Sequence, residues 1–172
     1  MNEATLLLLC ALALPACARG TPAPANVRDD APSTAPTAAD WLRGTVDIVG
    51  SEPGTWVVLR LGGGRRDVTL LGDTRLLRRL AGLEVAVWGA SESPGVFRVT
   101  RVEVRAADGI AAVDGVLARQ GAGWVLVTHD GRRLPVARLP QALRGMEGAR
   151  VWLAGPLDRD PDSSGVISDP PR

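Results

Sequence analysis

The 172-residue sequence has no lysine and no tyrosine, and it has only two cysteines, one histidine and one phenylalanine. Both cysteines, Cys10 and Cys17, lie within the first seventeen residues. The rest of the chain therefore has no disulfide framework, no thiolate metal site and no cysteine nucleophile. His129 alone cannot build a zinc site of ordinary composition. The stability of a folded part has to come from core packing.

Long apolar runs are also missing. The run from Ala4 to Leu14 has eleven residues, whereas a membrane-spanning helix needs ~20. It leads into Leu14-Pro15-Ala16-Cys17, in which a small residue precedes a cysteine. This order is typical of bacterial lipoprotein signals, in which the cysteine is lipidated and becomes the new N-terminus.

We therefore predict a signal peptide over residues 1–16 and lipidation at Cys17. The alternative is an ordinary secretory signal that is cleaved nearby, with Cys17 incidental. A lipid anchor implies a protein that is tethered to a bacterial membrane and faces an extracytoplasmic space. Ala18, rather than Asp, follows the cysteine, which favours the outer membrane and a location facing the periplasm.

Residues 17–40 lack apolar periodicity and are rich in Pro, Ala and Thr. Such a segment cannot bury enough surface to offset its ordering entropy, so we expect a disordered tether. All twenty basic residues are arginine, which we attribute to a GC-rich genome. Removal of the predicted signal peptide removes one acidic residue, Glu3. The remaining chain has twenty arginines and eighteen acidic residues, a net charge of about +2. This balance does not indicate a dedicated polyanion binder, and we expect no nucleic acid partner.

From Trp41 onward, short alternating apolar runs are separated by glycine turns, which is typical of β-strands. The first three predicted strands cover residues 42–48, 56–61 and 67–71, with a hairpin turn at Gly62-Gly63-Gly64. A short helix capped by Asp73 or Thr74 follows and ends at Gly82. The fourth and fifth strands cover residues 83–89 and 96–105.

The same order of elements then recurs at a drifting offset of 66–71 residues, which indicates a duplicated module with small loop insertions. The matched positions are Gly44 with Gly115, Trp56 with Trp124, Gly64-Arg65-Arg66 with Gly131-Arg132-Arg133, Gly82 with Gly148, Gly89 with Gly155, and Gly95 with Gly165. We divide the folded part into residues 41–108 and 109–172.

Three strands, a helix and two strands in ~65 residues resemble the OB-fold, a five-stranded Greek-key barrel. The pattern from Leu42 to Asp169 resembles that of small bacterial extracytoplasmic OB-fold proteins. The resemblance implies a mainly β fold with two tandem OB-like five-stranded barrels, each with one short helix between strands 3 and 4. Pro135 and the very short last strand, Gly165–Asp169, predict a less complete second barrel.

No catalytic, cofactor or metal site is predicted. Asp130-Gly131 favours a type I′ hairpin turn, so we interpret His129 as a turn residue. Asp158, Asp160 and Asp162 alternate as in a calcium loop, but the glycine and glutamate that such a loop requires are missing. The serines lie in the tether, in turns or near the chain end.

Two surface features are the candidates for binding. Trp56 and Trp124 could be stacking platforms on the second strand of each copy, but we favour core packing, because few aromatic residues are present to fill two barrels. Arg65, Arg66, Arg132 and Arg133 recur at one hairpin and could bind an anionic envelope polymer or an acidic protein. Solvated turn arginines are the alternative.

We therefore expect a non-enzymatic, membrane-tethered lipoprotein that binds or scaffolds. An oligosaccharide- or oligonucleotide-binding protein is the alternative, and an enzyme is a distant third.

Overall fold

The fold is taken from a computed structural model, which describes residues 40–51 and 53–171. These described residues all belong to one compact unit. The predicted signal peptide, Cys17 and the tether up to residue 39 lie outside the described residues. No helix within the described ranges has the length and apolarity needed to cross a membrane.

The described chain is mainly β with almost no helix, as predicted. Ten strands follow one another as β1 (Asp40–Val49), β2 (Trp56–Arg60), β3 (Val68–Leu71), β4 (Leu83–Ser93), β5 (Val96–Ala107), β6 (Ile110–Gln120), β7 (Gly123–Val127), β8 (Arg133–Val136), β9 (Arg150–Ala154) and β10 (Ser163–Ser168). One α-helix, α1 (Thr74–Arg79), lies between β3 and β4, and a 3-10 helix, Gln141–Leu143, lies between β8 and β9. We call β1–β5 with α1 the first half and β6–β10 the second half.

The strands of the first half pair in a closed cycle. β1 pairs with β2 and β4, β2 with β3, β3 with β5, and β5 with β4. All of these pairings are antiparallel except that of β3 with β5, which is parallel. The parallel pair needs a crossover connection, and α1 and β4 provide it.

Local sequence signals account for α1. The side chain of Asp73 accepts a hydrogen bond from the backbone N–H of Leu76 at 3.0 Å, as an N-cap does. Leu77 and Leu80 are buried on its inner side. The chain leaves the helix through Gly82, which has a φ of 84°. The backbone N–H of Gly82 donates to the carbonyl of Val46 at 2.9 Å and so ties the helix end to β1.

The second half repeats the first pairings but not the last. β6 pairs with β7 and β9, β7 with β8, and β9 with β10. Among the described strands, β8 pairs only with β7, and β10 pairs only with β9. The missing pairing is the counterpart of the parallel β3–β5 pair. The carbonyl of Leu157 accepts a bond from the N–H of Ala137 at 2.8 Å just beyond β8.

A tight turn joins the halves. Asp108 and Gly109 both have positive φ, 50° and 78°, and Ala107 pairs directly with Ile110. Two central residues with positive φ define a type I′ hairpin turn. The backbone ladder between β5 and β6 has only two residue pairs, yet they make the ten strands one connected sheet.

Each half has its own core cluster, but the first cluster recruits residues of the second half. Leu59, Leu80 and Val85 are among its fully buried members. Ala154 from β9 and Ile167 from β10 belong to the same cluster, with exposures of 0% and 1%. The end of β10 is further held to α1, because Arg79 donates to Asp169 Oδ2 at 2.9 Å. The last strand thus packs on the first half.

Register identifies equivalent residues in the two halves. A Cβ atom at Gly44 would lie 2.3 Å from the carbonyl oxygen of Arg60, and one at Gly115 would lie 2.5 Å from that of Val127. Their ladder neighbours correspond as well, because Val46 pairs with Leu59 and Leu117 with Leu126.

The connection after each helix corresponds too. The N–H of Gly148 donates to the carbonyl of Leu117 at 2.8 Å, as Gly82 does to Val46. The matches of Gly44 with Gly115 and of Gly82 with Gly148 therefore hold in three dimensions.

The match of Trp56 with Trp124 is wrong by one residue. If Leu59 corresponds to Leu126, Trp124 corresponds to Val57, and Trp56 corresponds to Gly123. Because adjacent strand residues point to opposite faces, this slip reverses the side of the sheet. Trp124 packs against the second core, whereas Trp56 is 60% exposed.

The halves diverge at Gly89 and Gly155. Gly89 lies inside β4, where a Cβ atom would lie 1.8 Å from the carbonyl oxygen of Arg98, whereas Gly155 follows β9 with a φ of 91°. Beyond this point Gly95 lies in a turn with a φ of 78°, but Gly165 lies within β10 against Trp152. The match of Gly95 with Gly165 is therefore wrong in conformation.

Candidate binding surfaces

The two arginine pairs lie on different hairpins with different neighbours. Arg65 donates to the carbonyl of Leu61 at 3.1 Å and lines a cleft with Arg43 and Glu84. Arg132 donates to Asp130 at 2.8 Å, and Arg133 donates to Gln120 at 3.3 Å. Of these contacts, only that of Arg132 with Asp130 is an ion pair. A joint anionic-ligand surface of Arg65, Arg66, Arg132 and Arg133 stays a prediction.

The hairpin around His129 differs from the predicted type I′ turn. The N–H of Gly131 donates to the carbonyl of Thr128 at 2.9 Å, and Gly131 has a φ of 81°. Asp130 is not among the residues with positive φ, which a type I′ turn needs at both central positions. His129 is exposed at this turn.

The acidic side chain of this turn is held in its ionised form. The hydroxyl of Thr128 donates to Asp130 and lowers the pKa of that carboxyl, and the nearby Arg132 lowers it further. No cluster of three or more His, Cys, Asp or Glu side chains suited to a metal ion occurs in residues 40–51 and 53–171.

A buried ion pair fastens the second half to the first. The carboxylate of Asp114 on β6 accepts two bonds from Arg150 on β9, at 2.8 Å and 2.5 Å. Its other oxygen accepts the backbone N–H of Val104 on β5 at 2.8 Å, and Arg150 donates to the carbonyl of Val102 at 2.5 Å. The side chains of Asp114 and Arg150 are only 5% and 24% exposed. Where the backbone pairing of β6 with β5 ends, these charged side-chain contacts connect the two halves instead.

The equivalent positions of the first half carry the same pair with the charges exchanged. Arg43 on β1 corresponds to Asp114, and Glu84 on β4 corresponds to Arg150, because the ladders β1–β4 and β6–β9 run in the same register. Arg43 Nε contacts Glu84 Oε1 at 2.5 Å, and the two side chains are 57% and 36% exposed. One face is therefore an internal contact in the second half and an open surface in the first.

The open face of the first half holds two tryptophans side by side. Trp41 on β1 pairs with Trp88 on β4, and Trp88 pairs in turn with Arg101 on β5. The guanidinium of Arg101 stacks 3.6 Å from the centroid of the Trp88 ring. Trp41 is 60% exposed, whereas Trp88 is half-buried.

A depression of about 370 Å³ lies between these tryptophans, and we call it the tryptophan bowl. Its lining is Trp41, Arg43, Ala86, Trp88 and Arg105. Ala86 lies between the larger side chains, and its small size leaves the space open. Sequence analysis missed this site because its residues come from three strands that are far apart in the chain.

An apolar groove lies at the unpaired edge of the second half. It measures about 700 Å³, and its lining includes Trp124, Leu134, Pro135, Val136 and Leu157. The guanidinium of Arg119 stacks 4.0 Å from the centroid of the Trp124 ring. Trp124 is half-buried here, so the two tryptophans that the sequence paired differ in exposure as well as in face.

Comparison of the chain with protein-family models, with curated proteins and with solved structures finds no match.

Proposed function

We propose that this chain is an exported lipoprotein, anchored through Cys17, whose folded body binds a ligand or partner without catalysing a reaction. The body comprises two tandem OB-like halves, residues 41–108 and 109–172, the second less complete. The anchor would hold the protein on the periplasmic side of a bacterial outer membrane. The alternative of an unlipidated secreted protein shares the same body.

The strand cycle supports the OB-like assignment. A five-stranded OB barrel joins its strands in the order 1-2-3-5-4-1, and the pairings of β1–β5 follow that order with α1 between β3 and β4. The repeated register of Gly44 and Gly115 supports a related second half.

The adjacent tryptophans of the bowl are the observation that favours binding over a passive scaffold. Trp41 is 60% exposed and lines the bowl together with Trp88, although the chain has few aromatic residues with which to fill its cores. Exposed aromatic side chains that lie next to each other mark surfaces that contact something else. An acidic envelope polymer or an acidic protein is the class of partner that the candidate surface of Arg65, Arg66, Arg132 and Arg133 would bind.

The anchor is tested by labelling cells with a fatty-acid probe. Cys17→Ser removes the sulfur that forms the thioether, so we expect no label on this variant and release of the body from the membrane fraction. Cys10→Ser is the matched control, because it removes the other cysteine of the same segment and should leave labelling unchanged. Equal labelling of both variants, or an unlabelled parent, would contradict the proposed anchor.

A further inference from the structure

The tryptophan bowl has a structural counterpart that shows what its face can do. In the second half, Ala112, Trp152 and Ala154 stand at the positions of Trp41, Ala86 and Trp88. All three contribute to or pack against the core of the first half. The corresponding face of the first half contacts no other part of the described chain in this way, and it carries exposed Trp41 instead.

The shape of the bowl favours a small ring-shaped group over a flat macromolecular surface. Its volume of about 370 Å³ lies at the lower end of the ~300–1,000 Å³ range of ligand clefts. Trp88 is half-buried and has Arg101 stacked on its ring, so only Trp41 projects far into solvent. A single projecting indole is a poor membrane-inserting surface, but an indole that projects beside a small floor residue can stack on one face of a pyranose ring.

The charges around the bowl favour an acidic ligand. The charged groups immediately around the bowl are Arg43, Arg101 and Arg105 with their ion-pair partners Glu84 and Glu103, which gives a local net charge of +1. Arg43 contacts Glu84 through Nε, which is one of the five N–H donors of the guanidinium. Arg105 contacts Glu103 at 2.5 Å and is 43% exposed. An incoming carboxylate can therefore be bound at the rim by either guanidinium fork.

We propose that the tryptophan bowl binds a carboxylate-bearing saccharide, with the sugar ring stacked on Trp41 beside Trp88 and its carboxylate held by Arg43 and Arg105. The apolar C–H face of a pyranose matches the face of an indole, and a ring carboxylate projects from the sugar edge toward the rim. The choice of a saccharide rests on the extracytoplasmic location proposed above, since acidic polymers of this class occur in that space.

The test measures binding of an oligogalacturonate to the full chain in detergent. Tryptophan fluorescence or calorimetry detects the binding. A malto-oligosaccharide is the neutral comparison. We expect tighter binding of the oligogalacturonate, and Trp41→Ala should weaken it about tenfold. Trp56→Ala is the matched control, because Trp56 has the same 60% exposure on β2 and should leave affinity unchanged.

The charge contribution needs its own pair of variants. Arg43→Gln should weaken binding of the acidic ligand several-fold and leave weak binding of the neutral one unchanged. Arg98→Gln is the control, since Arg98 is exposed to a similar extent and pairs with Glu92 away from the bowl lining. Equal losses in the two variants would overturn the assignment of the carboxylate to the bowl rim.

Other ligand classes are resolved by the same variants. Absence of oligogalacturonate binding, or binding that Trp41→Ala and Trp56→Ala weaken equally, would overturn the proposal. So would Trp41-dependent binding of phosphatidylglycerol vesicles or of a single-stranded DNA oligomer in place of the saccharide. The binding measurement does not depend on fatty-acid labelling. Loss of ligand binding at the bowl and loss of the lipid anchor are therefore separate results.

Discussion

The two halves share a pattern up to the fourth strand and then differ in how they end. In the first half, β5 returns beside β3 and closes the strand cycle. In the second half, β10 stays beside β9, and its Ile167 enters the core of the first half. Pro135 on β8 has no N–H to donate to a further strand. The second half thus exchanges closure of its own cycle for contact with its neighbour.

The same exchange alters the outer face. Arg43 and Glu84 form an exposed pair, whereas their counterparts Asp114 and Arg150 form a buried one with reversed charge order. Positions that are equivalent in register thus have different surroundings in the two halves. Equivalent backbone geometry, rather than similar side chains, relates the two halves to each other.

The largest expected effect comes from the two glycines that the halves share. Gly44→Ala and Gly115→Ala would each place a Cβ atom within 2.5 Å of a backbone carbonyl oxygen. Backbone cannot move aside as a flexible side chain can, so each variant should lose about 3 kcal/mol of unfolding free energy or more. Urea unfolding followed by circular dichroism measures this loss.

Gly123→Ala is the control for both glycine variants. The nearest atom to a Cβ at Gly123 is 3.7 Å away, and this position corresponds to Trp56 in the first half. We expect a change of less than about 1 kcal/mol. If Gly44→Ala is tolerated while Gly115→Ala is not, the two glycines do not have equivalent structural roles, which would contradict the correspondence between the halves.

The two ion pairs should differ by about 2 kcal/mol, which is less than the loss expected for the glycine variants. Asp114→Ala leaves Arg150 and the N–H of Val104 without the partner they have now, and it should cost about 3 kcal/mol. Glu84→Ala removes the exposed counterpart and should cost less than about 1 kcal/mol. Thermal and urea unfolding of both variants under the same conditions provide the measurement.

Exchanging the two charges within each ion pair tests whether the pair depends on its orientation. The double variant Arg43→Asp, Glu84→Arg keeps an exposed pair and should unfold like the parent. The double variant Asp114→Arg, Arg150→Asp should not, because neither new side chain can reproduce the contacts to both Val104 and Val102. Equal stability of the two double variants would show that the buried pair is not a specific clamp.

The smallest effect concerns pH. The hydrogen bond from Arg79 lowers the pKa of Asp169 below its ordinary value of 3.8. The ionised carboxylate therefore stabilises the end of β10 above about pH 4, and this contribution is lost as the pH falls through the lower folded-state pKa. NMR titration of Asp169 in the parent measures this lowered pKa. In the variant Arg79→Gln, the pKa of Asp169 should return toward 3.8. An unchanged pKa in the variant would contradict the contact.

Sequence patterns were sufficient for the strands, for the Asp73 cap and for the glycines that let β1 and β6 pass close to a neighbouring carbonyl. They failed for Trp56 and Trp124, because two apolar residues in adjacent strand positions satisfy the same pattern while pointing to opposite faces. The loop before β2 is longer than the loop before β7, which hides the one-residue slip.

The candidate site was beyond sequence reasoning for a related reason. Trp41, Ala86 and Arg105 meet only through the register of β1, β4 and β5. The Asp108-Gly109 turn, by contrast, carried a signal that sequence analysis passed over. Asp-Gly between two alternating apolar runs favours a hairpin, and it would have indicated that β5 and β6 are joined tightly.

The packing of β10 tests the central difference between the halves most directly. Methyl and amide NOEs measured on the full chain report which residues lie beside Ile167 and Leu70. We predict contacts of the Ile167 methyl groups with the core of the first half, cross-strand contacts between Leu70 and Phe97, and none between β8 and β10. Strong backbone contacts between β8 and β10, with Ile167 in the core of the second half, would contradict the account.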